Sequence, residues 1–172
     1  KETRISQMGE RVANNNEHIL VCLSSAPSNT KIIQTAVAMA RAFHASFSAL
    51  YVKTPASEYM GTEDKNRLLA NIHFAEKCGA TIVTACGDDV PFQIAEYARL
   101  SGVTKIVIGR SVVGKRRFIG KPTLTEKLIS LAPNVDIHII PDSDAAIAKG
   151  KKTLFEKPHF AKLLKGLAIS TF

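Results

Sequence analysis

The sequence predicts an α/β domain of three layers, in which helices cover both faces of a five-stranded parallel sheet. Short apolar runs recur along the chain, and runs such as HILVCL show no polar alternation, which is typical of strands buried on both faces. Each of the first four runs precedes a segment with helical periodicity that is long enough for a right-handed crossover. With 172 residues, 45% of them hydrophobic, the chain can form one such core.

The first half of the domain is predicted to contain two strands and two helices. The strands cover 18–23 and 45–53. Asn29 or Thr30 can cap the first helix, and an apolar stripe marks its buried side. That stripe consists of Ile33, Ala36, Val37, Ala40 and then Phe43 or His44. An irregular segment over 54–62 leads to a second helix over 63–78, which Gly79 ends.

Three further strands are predicted in the second half, over 80–86, 105–109 and 135–140. Asp88 or Asp89 caps the helix that starts at Val90-Pro91, and a last helix runs from Pro122 to Leu131. The predicted domain therefore covers 17–142. Residues 1–16 form a leading helix or linker, and 143–172 form a basic amphipathic tail. Because the chain begins at Lys1, we expect it to be cut from a longer protein.

The positive charge of the chain is concentrated in two places. Residues 110–121, here called the basic loop, carry five Arg or Lys and no acidic residue. The tail over 149–172 carries six lysines against one glutamate, which leaves the rest of the chain slightly acidic although the net charge is +8. Nucleic-acid binders usually carry such charge on one continuous face, so no nucleic-acid partner is expected. A bound anion is the first explanation to test for the basic loop.

The cysteines and histidines indicate no metal site and no catalysis. Cys22 lies in a strand, and Cys78 and Cys86 lack the spacing of metal ligands, so we expect three reduced packing residues in a cytoplasmic protein. The histidines are scattered, and no nucleophile lies near a base at a useful spacing. We therefore expect neither a required cofactor nor enzymatic activity in this segment.

Two loops are predicted to form a ligand site. If the strand order is 3-2-1-4-5, the loops after strands one and four flank the point where the order reverses, and parallel sheets bind ligands there. The loop over 24–29 offers serine hydroxyls for phosphate or sugar, although the same hydroxyls could cap the next helix. The basic loop offers backbone N–H groups near Gly109 and Gly114, guanidinium groups and a helix N-terminus. It could instead be a solvated surface loop, and Phe118 could stack on a base or anchor the loop.

The features over 18–142 together resemble the universal stress protein family. That resemblance implies the strand order 3-2-1-4-5 and an adenine nucleotide, such as ATP or AMP, at these loops. The ATP-binding members have Gly, two residues, Gly, nine residues, Gly and a hydroxyl residue after strand four. Here four residues separate Gly109 from Gly114 and five separate Gly114 from Gly120, and Lys121 follows in place of the hydroxyl residue.

Longer runs resemble the universal stress protein domain of the KdpD family, the potassium-responsive sensor histidine kinases. These runs are the segment from HILVCLSSAPSN to SALYVKTP, IVIGRS and APNVDIHIIP. Some members bind cyclic di-AMP through Ser-x-Ser, twenty residues and Phe-Thr-Ala-x-Tyr. This chain has Ser-Ser-Ala at 24–26 and Phe-Ser-Ala-Leu-Tyr at 47–51, so Ala26 replaces a serine and Ser48 a threonine.

The loops and the resemblance together predict one nucleotide site from both loops and strand two. Its residues are Ser24, Ser25, Ala26, Ser28, Phe47, Ser48, Ala49, Tyr51, Gly109, Arg110, Ser111, Arg116, Arg117 and Phe118. The alternation within strand two puts Phe47, Ala49 and Tyr51 on one face and Ser48 on the other. For Phe47 and Tyr51, simple core packing is the alternative.

The function implied is that of a cytoplasmic regulatory domain in a membrane-bound sensor kinase that controls potassium uptake. It would bind an adenine nucleotide, in particular cyclic di-AMP, and its partners would be the other kinase domains. A homodimer is left open. The tail over 157–172 could lie on an anionic membrane surface or dock on this domain. The rival functions are a stand-alone ATP- or AMP-binding stress protein and a protein-interaction module without a nucleotide.

Overall fold

Parallel strands and helices alternate along the part of the chain that the structure describes. The structure is a computed structural model, and it describes residues 16–110 and 122–141. The strands are β1 (His18–Cys22), β2 (Ser46–Lys53), β3 (Thr81–Cys86), β4 (Lys105–Gly109) and β5 (Asp136–Ile140). The helices are α1 (Asn29–Phe43), α2 (Thr62–Lys77), α3 (Val90–Leu100) and α4 (Leu124–Leu131), and a short 3-10 helix covers Pro55–Tyr59. None of these helices is both long enough and apolar enough to cross a membrane.

The strands form one parallel sheet in the order β3-β2-β1-β4-β5, which confirms the predicted fold class. β1 is the central strand, with β2 on one side and β4 on the other. Cys22 pairs with Leu50 of β2, and Val21 pairs with Val107 of β4. The strand order reverses between β1 and β4, and the carboxyl ends of these two strands lie at the same edge of the sheet.

Helices cover both faces of the sheet and divide the core into two layers. Ile19 and Val21 pack toward α1 and α2, whereas Leu20 packs toward α3 and α4. All three side chains have no exposed surface. The absence of polar alternation in this run thus has a simple cause, because both faces of β1 lie against helices.

The start of α3 and the end of α2 agree with the prediction, whereas the start of α4 does not. The Asp89 carboxylate caps α3 by accepting a hydrogen bond from the Phe92 backbone N–H at 3.3 Å. Gly79 follows α2 with φ +90, a conformation that favours glycine. The predicted start of the last helix at Pro122 is wrong by two residues. The Thr123 hydroxyl accepts from the Glu126 N–H at 3.2 Å and the Glu126 carboxylate accepts from the Thr123 N–H at 2.6 Å, so this capping box starts α4 at Leu124.

The prediction for α1 is wrong at both ends. Ser28, not Asn29 or Thr30, is the N-cap residue, and it makes no capping bond through its side chain. At the other end, the buried stripe stops at Ala40, because Phe43 is 40% exposed and His44 is the left-handed C-cap with φ 51. The predictions for 1–15, 111–121 and 142–172 lie outside the described residues and stay predictions, as do the domain boundaries.

Candidate functional site

The loop after β1, residues 24–28 and here called the serine loop, is built around the buried side chain of Asn29. This amide is 1% exposed. Its oxygen accepts from the Ser24 N–H at 3.1 Å, and its nitrogen donates to the Cys22 carbonyl at 3.3 Å. Asn29 therefore satisfies two backbone groups where the ladder of β1 ends, and it turns the chain from the strand into α1.

Helix α2 holds the same loop from the side. The Asn71 amide, 5% exposed, donates to the Ser24 carbonyl at 2.9 Å. The Arg67 guanidinium donates through Nε to the Ser25 carbonyl at 2.7 Å, and its other nitrogens bind Glu63 and Asp64. The hydrogen bond with Asp64 and, less strongly, the one with Glu63 raise the pKa of Arg67.

Asn29, Arg67 and Asn71 were not predicted as site residues, although the sequence carries one signal for Asn71. Asn71 lies on the stripe that Leu68 and Ala75 define at helical spacing, and both of these side chains are buried. A polar residue on the buried stripe of a helix must find a hydrogen-bonding partner inside the protein. The sequence therefore indicates that Asn71 has a hydrogen-bonding partner inside the protein, but it does not identify the backbone group that Asn71 binds.

The end of β4 lies directly beside the first turn of α1. A Cβ on Gly109 would lie 2.4 Å from Ile32 Cδ1, the end of that side chain, so any larger residue here would force Ile32 to move. Extending the register of Val21 and Val107 by three residues puts Ser24 level with Arg110 on the neighbouring strand. Arg110 is exposed, and its backbone N–H donates to the Ile140 carbonyl at 2.9 Å. The region between the serine loop and Gly109–Arg110, where the strand order reverses, is here called the switch crevice.

The structure brings only some of the predicted site residues to this crevice. Those at the edge are Ser24, Ser25, Ala26, Ser28, Gly109 and Arg110. Tyr51 lies nearby and half-buried, one residue beyond the pair of Leu50 and Cys22. Ser111, Arg116, Arg117 and Phe118 lie outside the described residues. Phe47, Ser48 and Ala49 lie toward the other end of β2.

Ser48 shows why the middle of β2 does not reach the crevice. It pairs with Leu20, four residues before Ser24, which is about 13 Å along the strand. Its side chain is 4% exposed and lies 2.8 Å from His18 Nε2. His18 Nδ1 lies 2.9 Å from the Ser101 carbonyl, which can only accept. Nδ1 therefore carries the proton, and Nε2 accepts from Ser48, whose hydroxyl is occupied in the core. Ala49 has no exposed surface, and Phe47 packs against the α1–α2 layer.

A charged cluster fastens the opposite edge of the sheet. Lys105 Nζ lies 3.0 Å from Asp136 and 3.4 Å from Glu17, and 5.3 Å from the centre of the Phe43 ring. The hydrogen bond from Lys105 lowers the pKa of Asp136, and the same bond raises the pKa of Lys105. The Glu17 carboxylate also accepts a hydrogen bond from the Thr104 hydroxyl, and this bond lowers the pKa of Glu17. The cluster ties β4 to β5 and to the start of β1, far from the switch crevice.

A second, open cleft of about 410 Å³ lies at the ends of β2 and β3. It is lined by Lys53, Thr54, Pro55, Glu58, Cys86, Gly87 and Asp88. Lys53 and Glu58 approach to 3.8 Å across it. This cleft lies at the same edge of the sheet as the switch crevice, on the β3 side of β2.

Comparison with solved structures defines the class of fold. A universal stress protein in complex with cAMP matches with a TM-score of 0.58 and 15% identity, over 74% of this chain and 98% of that protein. The universal stress protein UspA from Lactobacillus plantarum matches with a TM-score of 0.53 and 22% identity, over 73% and 97% of the two chains. The chain therefore has the universal stress protein fold.

Comparison with curated sequences shows which proteins of this fold the chain is related to. The sensor protein KdpD of Clostridium acetobutylicum is 36% identical over 142 residues, which are 81% of this chain and 16% of that protein. KdpD of Escherichia coli is 26% identical over 127 residues, 74% of this chain and 14% of that protein. No protein-family model matches the chain. The chain belongs to the universal stress protein domains of the KdpD sensor proteins, and it spans about a sixth of the length of these curated relatives.

Proposed function

We propose that this chain is a regulatory domain of a KdpD-type sensor kinase and that an adenine nucleotide binds in the switch crevice. The observation that carries the proposal is the position of the serine loop beside Gly109–Arg110, at the reversal of strand order. Ligands of parallel α/β sheets bind at this position. Because the serine loop is anchored by buried amides, a ligand would meet a loop that is already ordered.

The groups at the crevice suit a phosphate ester. The serine loop carries three hydroxyls, and it leads into the N-terminus of α1, where the helix dipole favours an anion. The Arg110 guanidinium can bind two phosphate oxygens at once. Tyr51 can add an aromatic surface for a base. The neighbouring structure with bound cAMP belongs to a protein of this fold, which favours an adenine nucleotide over other anions.

Within this class we propose cyclic di-AMP as the ligand. The Ser-Ser-Ala and Phe-Ser-Ala-Leu-Tyr segments resemble the motif of KdpD members that bind it. Two phosphate groups require more cationic side chains than Arg110 alone, and the basic loop supplies Arg116 and Arg117. Ser111 and Phe118 complete the proposed contacts. Phe47, Ser48 and Ala49 would contribute indirectly, by packing β2 so that Tyr51 faces the α1–α2 layer.

The proposed role is regulation of potassium uptake from the cytoplasmic side of the membrane. A ligand shifts a kinase between two states only if it binds them with different affinity. The domain would transmit this difference to the other kinase domains. The basic tail over 157–172 would lie on the anionic membrane surface, where each lysine contributes roughly 1 kcal/mol.

Titration calorimetry with the 172-residue chain tests the ligand. Cyclic di-AMP, ATP and AMP would be compared, with cyclic di-GMP as the control for the base. We expect cyclic di-AMP to bind and Arg110→Ala to weaken it roughly tenfold or more, as for loss of a hydrogen bond to a charged group. Arg99→Ala is the matched control, because Arg99 is an exposed arginine on α3 that binds Glu96.

Three outcomes would contradict parts of the proposal. ATP binding without any response to cyclic di-AMP would favour the ATP-binding stress protein. Equal loss of affinity in the Arg110 and Arg99 variants would mean that the switch crevice is not the nucleotide site. Full nucleotide binding by a double variant, Arg116→Ala with Arg117→Ala, would show that the basic loop serves a protein contact instead.

A further inference from the structure

Two consecutive carbonyl groups of the serine loop accept hydrogen bonds from one helix. Ser24 O lies 2.9 Å from Asn71 Nδ2, and Ser25 O lies 2.7 Å from Arg67 Nε. Arg67 and Asn71 are four residues apart, so they lie on the same side of α2. The helix thus holds two successive peptide groups of the loop through side chains one turn apart.

Both donors are themselves held in place. Asn71 is 5% exposed, and its oxygen accepts from the Thr30 hydroxyl at 3.4 Å, so both ends of the buried amide have partners. Arg67 is fixed within α2, because Glu63 and Asp64 bind its remaining nitrogens. A donor with restrained rotamers orders its acceptor at a smaller entropic penalty than a free side chain would. The contacts therefore act as a fixed frame for the loop.

The direction of these bonds determines where the loop's N–H groups point. In a planar trans peptide, the N–H is antiparallel to the carbonyl of the same peptide group. The carbonyls of Ser24 and Ser25 are directed at α2, so the N–H groups of Ser25 and Ala26 point away from it. Helix α2 packs on β2 and β3, whereas β4 lies on the other side of β1. An N–H group of the serine loop that points away from α2 therefore points toward the β4 side. The Ala26 N–H donates to the Ser24 hydroxyl oxygen at 3.3 Å, which places this hydroxyl on the same side.

We propose that Arg67 and Asn71 are positioning residues that aim the Ser25 N–H group and the Ser24 hydroxyl into the switch crevice. This inference rests on the proposed function, because it takes a nucleotide phosphate as the group that meets these donors. Neither side chain contacts the ligand. Each acts through a backbone carbonyl of the serine loop, and together they make α2 part of the nucleotide site.

The test combines nucleotide affinity with backbone exchange in the 172-residue chain. Arg67→Ala and Asn71→Ala remove one loop contact each, and Arg67→Lys keeps the charge but loses the Nε donor. Arg99→Ala is again the matched control, since that arginine also binds a carboxylate three residues away on its own helix. Amide hydrogen exchange at Ala26 is measured without nucleotide, and affinity is measured with cyclic di-AMP and AMP.

We expect faster exchange at Ala26, whose N–H bonds to the Ser24 hydroxyl, in the three test variants. We also expect a roughly tenfold weaker affinity for cyclic di-AMP. The unfolding midpoint of Arg67→Ala should match that of Arg99→Ala, because a merely stabilising residue would move the midpoint instead of the affinity. If Asn71→Ala fails to fold, the two Arg67 variants decide the question.

The failures of the two proposals are distinguishable. A wild-type chain that binds neither cyclic di-AMP nor AMP refutes the proposed function and, with it, a positioning role toward nucleotide. A wild-type chain that binds, with unchanged affinity in Arg67→Ala and Asn71→Ala, leaves the function intact and overturns the positioning role. Unchanged exchange at Ala26 in both variants also overturns it.

Discussion

Gly109→Ala tests the close approach of β4 to α1 that shapes the switch crevice. The new Cβ would lie 2.4 Å from Ile32 Cδ1, and Ile32 is 2% exposed and cannot swing into solvent. Overpacking of a buried contact destabilises a protein by about 1–3 kcal/mol. We expect this loss in the free energy of unfolding, measured by urea denaturation with far-ultraviolet circular dichroism.

A second substitution removes the atom responsible for the clash. Ile32→Val deletes Cδ1, and the next atom that the new Cβ would meet, Ile32 Cγ1, lies at an ordinary distance of 3.6 Å. By itself this deletion should destabilise the chain by about 0.5–1.5 kcal/mol. In the double variant the clash is gone, so its stability should be close to that of Ile32→Val alone. The coupling between the two sites would then be about 1–3 kcal/mol, the size of the overpacking term.

A matched control comes from the neighbouring residue. Ile33 is fully buried on the same helix, and Gly109 does not approach it. Gly109→Ala combined with Ile33→Val should be additive within about 0.5 kcal/mol. Additive behaviour in the Ile32 cycle as well would refute the reasoning, because it would mean that the strand end does not lie against the first turn of α1.

Three further predictions concern stability and thiol chemistry. Asn29→Ala should lower the free energy of unfolding by about 3 kcal/mol, because two backbone groups at the end of β1 lose their partners; a loss below about 1 kcal/mol in urea denaturation would contradict this. Lys105→Met should lower the urea midpoint at pH 7, and the difference in midpoint from wild type should narrow as the pH falls below about 4. The bond to Lys105 lowers the pKa of Asp136 and so stabilises the fold above about pH 4; this stabilisation is lost as the pH falls through the folded-state pKa of Asp136. A difference in midpoint that stays constant with pH would contradict this explanation. Iodoacetamide at pH 8 should modify the exposed Cys86 first and Cys22 only after unfolding, since burial raises the pKa of the Cys22 thiol to about 12; equal rates by peptide mass mapping would rule this out.

The elements of the fold follow from local patterns in the sequence. Apolar runs gave the five strands to within a residue or two, and helical periodicity gave the helices between them. The Asp89 cap and the turn at Gly79 were predictable because both depend on neighbours only a few residues away. The start of α4 was missed although its signal is also local, since the Thr123–Glu126 capping box outweighs the preference of Pro122 for a first turn.

The strand order and the position of the two loops followed from the family resemblance, which the comparisons confirm. The resemblance also assigned Phe47 and Ser48 to the site together with Tyr51. The strand register separates Ser48 from Tyr51. It places Ser48 beside His18, about 13 Å along the strand from the serine loop. Two residues that are near in sequence can thus serve opposite edges of a sheet.

Local patterns in the sequence were enough to predict the alternation of elements, most of the buried stripe of α1, and which two loops carry the polar and basic groups. These properties depend on periodicity and on composition within a few residues. The three-dimensional packing was needed to show that Asn29, Asn71 and Arg67 hold the serine loop, because the last two bind carbonyls 47 and 42 residues away along the chain. A hydrogen bond between a side chain and a distant backbone group leaves no periodic pattern. Its partner is set by the packing of α2 against the end of β1, where the sheet brings the two segments together.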